Sequence, residues 1–215
     1  MKTPLQNRAR LDPMKLVILD RDGTLNIDRD DYVTTADEWV PIPGALEAVA
    51  ALTQAGWHAV VATNQSGLGR GLFDMATLNA MHIKLNQKLA DAGGRIGAVF
   101  FCPHVPSEEC ACRKPMPGLL LQIGERYGVD LKTVPAVGDS LRDLQAAQAA
   151  GCEPHLVRSG KAEALDDDQL ADILSKAPGT TVHKDLSAFA EFLIRRDQQA
   201  RGLPESRDSL FGGAE

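Results

Sequence analysis

Two carboxylates one residue apart mark the most informative part of this chain. The segment from Leu16 to Leu25 reads Leu-Val-Ile-Leu-Asp-Arg-Asp-Gly-Thr-Leu, so an apolar run ends abruptly in Asp20 and Asp22. The run has the length and β-branched content of a buried parallel strand. Positions i and i+2 of a strand share a face, so both acids can reach one pocket. Carboxylates this close repel each other unless a cation or a shared proton holds them. The pair therefore predicts a site.

Polar side chains follow later apolar runs in the same way. In isolation each would be read as a turn, a helix cap or surface charge. A doubly wound sheet brings its strand tips together, so the set as a whole predicts one functional edge. Its members are Thr63, Asn64, Gln65, Arg113, Lys114, Asp139 and Asp143.

This combination suits phosphoryl transfer, which needs a nucleophile and cations to offset the charge on the phosphate oxygens. A carboxylate can be the nucleophile and pass through an aspartyl-phosphate. Mg2+ prefers hard oxygen ligands, which Asp20, Asp139 and a backbone carbonyl would supply. Asp22 could protonate the leaving alkoxide and then deprotonate the attacking water. Thr63 and nearby backbone amides could hold the phosphate, with Lys114 as a point charge.

A second cluster lies in a loop. Cys102, His104, Cys110 and Cys112 offer three thiols and one imidazole within eleven positions. Three sulfurs and one nitrogen make a closed tetrahedral shell, which predicts a structural Zn2+ rather than a catalytic one. The alternative is a loop of reduced cysteines beside a surface histidine. A metal-bound loop would fix the two cations that follow it over the phosphate pocket, whereas the isolated Cys152 is interpreted as a small core residue.

The elements that position these residues alternate between strand and helix. Strands are predicted over 15–19, 58–62, 98–101, 134–137 and 155–157, and helices over 44–55, 74–92, 117–127 and 141–150. This order predicts an α/β fold with a doubly wound parallel sheet. The connections between them leave no room for a large capping domain. We expect a flexible extension over 1–13, one phosphatase domain over 14–195 with its zinc loop at 102–112, and a mobile tail over 196–215.

Bulk properties exclude some classes of function. The 215 residues carry a formal net charge of −6, which argues against nucleic-acid and anionic-membrane partners. No stretch approaches the roughly 20 apolar residues of a membrane span, and the polar start lacks an apolar signal core. We therefore expect a cytoplasmic protein that acts as a monomer on a small molecule.

The ordered motifs resemble those of the haloacid dehalogenase superfamily of phosphatases. They are Asp20-Arg-Asp-Gly-Thr24, Thr63-Asn-Gln65, Arg113-Lys-Pro115 and Gly138-Asp-x-x-x-Asp143. The resemblance implies a Rossmann-like fold, Asp20 as nucleophile and Asp22 as general acid and base. It also implies that Mg2+ is bound by Asp20, the Asp22 carbonyl and Asp139.

With the zinc loop, the motifs are similar to the branch that contains heptose-bisphosphate and histidinol-phosphate phosphatases. This resemblance implies a phosphorylated sugar as substrate, most simply the 7-phosphate of a heptose 1,7-bisphosphate, with histidinol phosphate as the close alternative. Three departures are Ser140 in place of a usual lysine, a longer segment at 28–32 and a shorter zinc loop. The residues it places near the substrate are Asn26, Asp28, Tyr32, Asn64, Gln65, Ser66, Arg113 and Lys114, to which the residues themselves add Thr63 and Arg70.

Two further hypotheses remain open at this stage. A phospho-accepting signalling module also uses a strand-end Asp, a Thr and a Lys with Mg2+, but it keeps its aspartyl-phosphate. A binding protein on an inactive phosphatase scaffold is disfavoured because Asp20, Asp22, Lys114 and Asp139 are all intact. A bisphosphate would also need a second anion contact, for which Arg70, Arg113 and Arg142 are candidates.

Overall fold

The structure, a computed structural model, describes residues 14–202. Its centre is one parallel sheet of six strands in the order β3-β2-β1-β4-β5-β6. The chain therefore runs outward from β1 in one direction and then returns to fill the other side, which confirms the predicted doubly wound sheet. The strands are β1 (Leu16–Leu19), β2 (His58–Asn64), β3 (Val99–Cys102), β4 (Pro135–Gly138), β5 (Glu153–Val157) and β6 (Thr181–His183).

Helices cover both faces of the sheet. Side chains alternate along β1, so Val17 and Leu19 join the core under α1, α3 and α7, while Leu16 and Ile18 join the core under α4 and α5. All four are buried, as expected for a central parallel strand. The helices are α1 (Ala45–Gln54), α2 (Ser66–Gly69), α3 (Met75–Asp91), α4 (Gly118–Tyr127), α5 (Leu141–Ala150), α6 (Asp167–Lys176) and α7 (Leu186–Ala200).

The carboxyl-terminal part of the domain differs from the prediction. Helices α6 and α7 and strand β6 were not predicted, and neither was the single turn of α2. The predicted tail began at residue 196, but α7 continues to Ala200, and Arg196 forms a 2.7 Å ion pair with Glu153 at the start of β5. The predicted extension over 1–13 and the rest of the predicted tail, 203–215, lie outside the described residues.

The connection between β1 and α1 is a loop rather than a capping domain. Residues 20–44 contain turns and isolated bridges only. Val33 and Trp39 anchor this loop because both side chains are buried in the core under α1, and the Lys84 ammonium on α3 donates to the Ala36 carbonyl at 2.7 Å. Within residues 14–202 no helix is both long and apolar enough to cross a membrane.

Two buried histidines lie side by side at the β5–β6 edge. His155 Nδ1 is 3.0 Å from His183 Nε2, and both rings pack against Phe189 and Phe192 of α7. Burial lowers the pKa of His155 to about 3, helped by the charges of His183 and Arg196. Burial also lowers the pKa of His183. This edge of the fold therefore favours neutral imidazoles.

Candidate active site

The candidate site lies at the carboxyl ends of β1 and β4. These two strands are neighbours at the centre of the sheet, where the order of the strands reverses direction. Leu19 pairs with Val137, and the Asp20 N–H donates to the Val137 carbonyl at 2.9 Å. Asp20 therefore leaves β1 alongside the end of β4, which is followed directly by Asp139. This is the switch point at which open α/β sheets bind their ligands.

Three carboxylates meet at this point. Asp20, Asp139 and Asp143 each place a carboxylate oxygen within 4.8 Å of the other two. The predicted convergence of the first-strand acid with the acids of the fourth strand and its helix is therefore found. The Asp22 carboxylate is not in this cluster and contacts other groups, so its metal contact through the backbone carbonyl remains a prediction, while Asp143 joins the cluster.

Lys114 is the counter-charge of the cluster. Its ammonium lies 2.7 Å from Asp20 Oδ1, 2.6 Å from Asp143 Oδ1 and 2.8 Å from the Ala62 carbonyl. The ammonium therefore makes ion pairs with two carboxylates and donates a hydrogen bond to the Ala62 carbonyl. Burial lowers the pKa of Lys114, but the two carboxylates outweigh this effect and raise it. Lys114 is therefore charged.

The cluster as a whole carries excess negative charge. Burial raises the pKa of Asp20 to about 7, and Asp143 and Asp22 add to this rise against the opposing effect of Lys114. Burial together with the charges of Asp143 and Asp20 raises the pKa of Asp139 to about 8. A divalent cation relieves such repulsion, and carboxylate oxygens are the ligands that Mg2+ prefers. The donor set therefore fits Mg2+.

Two glycines allow the chain to approach Asp139. A Cβ added to Gly23 would lie 2.1 Å from Asp139 Oδ2, and one added to Gly160 would lie 2.3 Å from the same atom. Both residues also have positive φ values, +82° and +52°, that disfavour other residues. The Lys161 N–H then donates to Asp139 Oδ2 at 2.6 Å. Side chains at these two positions would displace the Asp139 carboxylate.

Asp22 is held by a separate network. The Arg21 guanidinium donates to both carboxylate oxygens at 3.0 Å, Asn26 Nδ2 donates to Oδ1 at 2.9 Å, and Gln65 Nε2 donates to Oδ2 at 2.8 Å. Burial raises the pKa of Asp22, but Arg21 and these hydrogen bonds outweigh it and lower the pKa. Arg21 is only 1% exposed and also donates to Gln65 Oε1 at 3.0 Å. Arg21 was not predicted as a site residue, because the residue between two acids on one face of a strand is expected to lie on the opposite face.

The residues after β2 serve partly as supports. Asn64 Nδ2 donates to the Lys114 carbonyl and Asn64 Oδ1 accepts from the Lys114 N–H, both at 3.0 Å. Gln65 Nε2 donates to Thr63 Oγ1 at 3.0 Å, which leaves the threonine hydroxyl proton free for another acceptor. Asn64 therefore fixes the backbone that carries the Lys114 ammonium.

A polar cleft of about 240 Å³ opens over Asp20 and Asp22. Of the predicted substrate residues, Asn26 is buried against Asp22 instead of lining the cleft, and Arg70 is exposed outside it. Arg142 and Lys161 also line it, and sequence reasoning missed Lys161, although a Gly-Lys pair after β5 repeats the strand-end pattern. The predicted residues that do line it are Asp28, Tyr32, Thr63, Asn64, Gln65, Ser66, Arg113 and Lys114.

The cysteine loop forms a compact four-atom cluster. Cys112 Sγ lies 3.2 Å from Cys102 Sγ, 3.4 Å from Cys110 Sγ and 3.3 Å from His104 Nδ1. These separations are far longer than the roughly 2.05 Å of a disulfide bond. One ligand atom from each residue converges on a common centre, so the cluster can hold a metal ion. Arg113 Nη1 donates to the His104 carbonyl at 3.3 Å, which ties the cluster to the cleft.

The sequence of this chain matches that of a family of known proteins. The family model for haloacid dehalogenase-like hydrolases matches residues 25–151, more than half of the chain. The chain belongs to this family.

The similarity extends to full-length relatives. A D-glycero-β-D-manno-heptose-1,7-bisphosphate 7-phosphatase of Bordetella bronchiseptica is 56% identical over 85% of this chain and 99% of the relative. The enzyme of that name from Pseudomonas aeruginosa is 51% identical over 84% of this chain and 98% of the relative. The crystal structure of a D,D-heptose 1,7-bisphosphate phosphatase from B. bronchiseptica, complexed with magnesium and phosphate, has a TM-score of 0.80 at 56% identity. It covers 85% of this chain and 99% of that one.

Proposed function

We propose that this haloacid dehalogenase-like hydrolase is a Mg2+-dependent phosphomonoesterase that removes the 7-phosphate of D-glycero-D-manno-heptose 1,7-bisphosphate. The observation that carries the proposal is the convergence of Asp20, Asp139 and Asp143 on one buried point beside Asp22. The relatives that are 51–56% identical over most of their length support the choice of substrate.

In the first step, an Asp20 oxygen attacks the phosphorus and the bond to the sugar 7-oxygen breaks. Asp22, carrying the proton that it took from water at the end of the preceding turnover, delivers it to that oxygen, so the leaving group departs as an alcohol. Bound Mg2+ would supply positive charge to the phosphate oxygens, held by Asp20, the Asp22 carbonyl and Asp139. Asp143 orients Lys114, as their 2.6 Å contact indicates.

In the second step, Asp22 takes a proton from a water molecule that attacks the aspartyl-phosphate. The phosphorus–Asp20 bond breaks, inorganic phosphate leaves and the Asp20 carboxylate returns. Asp22 is a carboxylate at this point because it gave up its proton in the first step, and the contact with Arg21 stabilises that form. The Thr63 hydroxyl proton and the Ser66 side chain are donors available to the phosphate oxygens in the cleft.

We further propose that the Cys102–Cys112 cluster binds a structural Zn2+. Its support is the closed set of three sulfurs and one nitrogen, which leaves no ligand position for a substrate. The expected monomeric state and cytoplasmic location remain predictions, which light scattering and cell fractionation test. None of the four cysteines forms a disulfide, which is typical of a reducing compartment.

The test is hydrolysis of the bisphosphate with Mg2+, followed by 31P NMR to identify the phosphate that is released. We expect steady release of the 7-phosphate, loss of turnover in Asp20→Asn, and a much lower rate on histidinol phosphate. Equal or higher rates on histidinol phosphate would transfer the assignment to the alternative substrate. One equivalent of stable aspartyl-phosphate without turnover would instead favour the signalling hypothesis.

A further inference from the structure

Lys161 is a cleft-lining cation that the mechanism above does not use. It follows β5, its side chain is 51% exposed, and its ammonium forms an ion pair with Asp28 across the cleft. The main chain of Lys161 is fixed, because its N–H donates to Asp139 Oδ2 and Ser159 Oγ donates to the Gly23 carbonyl at 2.7 Å. Only the flexible four-carbon stem can therefore move.

The other cations of the cleft are mostly committed to protein partners. Arg21 is bound to Asp22, and Lys114 pairs with Asp20 and Asp143 and donates to the Ala62 carbonyl. Arg29 pairs with Asp31 at 2.7 Å. Lys161 differs because its single partner is a carboxylate that itself lines the cleft. Because the Lys161 side chain is half exposed, solvent partly screens this pair and an incoming anion can reach the ammonium and compete with the carboxylate.

Arg142 lies near Lys161. It is exposed in the first turn of α5, and its charge acts on both Lys161 and Asp143. Both cations line the cleft. A second cavity of about 510 Å³ also contains Lys161; it shares Asp28 and Asp30 with the cleft and adds Arg158 and Glu163, whose charges are opposite. An anion in the cleft therefore has both Lys161 and Arg142 available as cations.

We propose that Lys161, supported by Arg142, binds the phosphate of the substrate that is not transferred, and that Asp28 occupies Lys161 until this phosphate arrives. The proposal rests on the proposed function. It makes Lys161 a specificity-determining residue that distinguishes a bisphosphate from the corresponding monophosphate. Asp28 then acts as a stand-in anion rather than as a contact that holds the sugar.

The experiment compares Lys161→Gln with the wild type on heptose 1,7-bisphosphate and on heptose 7-phosphate. A lost charge-assisted contact predicts a fall in kcat/KM of about 10- to 100-fold on the bisphosphate, mainly through KM. On the monophosphate, kcat/KM should stay within about twofold, because the fixed backbone N–H and the reacting groups are unchanged. Lys161→Arg should restore most of the preference. Asp28→Asn should raise kcat/KM on the bisphosphate, because no carboxylate then competes with the phosphate for Lys161.

Lys176→Gln is the matched control, since Lys176 is 52% exposed and pairs with Asp172 away from the cleft. This variant should leave kcat/KM unchanged on both substrates. Equal losses on both substrates in Lys161→Gln, or an unchanged preference, would overturn the inference. A wild-type enzyme that does not turn over the bisphosphate would refute the proposed function instead, so the two failures are distinguishable.

Discussion

The contact between Arg21 and Asp22 gives the sharpest test of how the proposed general acid and base is held. We consider Arg21→Met, Asp22→Asn and the double variant. Arg21 is 1% exposed on its side chain and Asp22 is 21% exposed, and they share two N–O contacts of 3.0 Å. Removing one partner of a fully buried pair costs about 3–5 kcal/mol. The partial exposure of Asp22 reduces the expected loss to about 3 kcal/mol for Arg21→Met.

The double variant removes both charges together, so it avoids leaving one of them unpaired. We therefore expect the losses of unfolding free energy in the two single variants to add up to about 2 kcal/mol more than the loss in the double variant. The measurement is urea unfolding in Mg2+-free buffer. Unlike an activity assay, unfolding can be measured in variants that lack activity. Arg21→Met should also lower kcat, since Asp22 then keeps only its contacts with Asn26 and Gln65.

A surface pair in the same chain provides the control. Arg29 binds Asp31 with two contacts of 2.9 and 2.7 Å, but the side chains are 40% and 72% exposed. The matching cycle of Arg29→Met and Asp31→Asn should show no resolvable coupling, since solvent screens this pair. Additive effects within about 0.5 kcal/mol at Arg21 and Asp22 would refute our account of the buried network.

Three other features give direct predictions. Gly23→Ala should weaken Mg2+ binding at least tenfold by calorimetry because its Cβ would collide with Asp139, whereas Gly179→Ala, with the same φ of +82° and open space, should not. The folded-state pKa of His155 is about 3, below the unfolded value of about 6.5, so the stability that its neutral form contributes is lost as pH falls from 6.5 towards 3. His155→Gln should reduce the slope of unfolding free energy against pH by up to about 1.4 kcal/mol per pH unit in that window, and an unchanged slope would contradict this reasoning. Cys110→Ser should remove the bound Zn2+, as measured by elemental analysis. It should also raise KM, because the two cations that follow the loop would be displaced. Wild-type protein that binds no Zn2+ when the metal is supplied would exclude the site.

The sequence predicted the centre of the fold better than its carboxyl-terminal edge. The strands of the centre are apolar runs followed by polar side chains, which is a pattern that needs no tertiary information. Strand β6 has three residues, and Thr181 is exposed, so it is a strand only because it pairs with β5. Helix α7 did carry a helical pattern in Leu186, Phe189, Ala190, Leu193 and Ile194, but the Gly- and Pro-containing tail beyond it obscured the signal.

The residues of the candidate site also divide into those that the sequence predicted and those that it did not. Asp20, Lys114 and Asp139 were predicted from strand-end positions, and the structure brings them together because the switch point does so. The burial of Arg21 could not be predicted, because it depends on distant partners such as Gln65 and Met81. Arg70 illustrates the opposite error. It follows the Thr63–Ser66 motif closely in the chain, but α2 turns it out to solvent.

The contacts of Lys114 have a consequence for the order of events. Before a phosphate arrives, its ammonium lies against Asp20, Asp143 and the Ala62 carbonyl. In the proposed mechanism Asp20 becomes an acyl phosphate and loses the full negative charge that attracts this ammonium. The ammonium can then turn to the phosphoryl group that has just been transferred. Bond formation would thus shift the counter-ion from the attacking group to the group attacked.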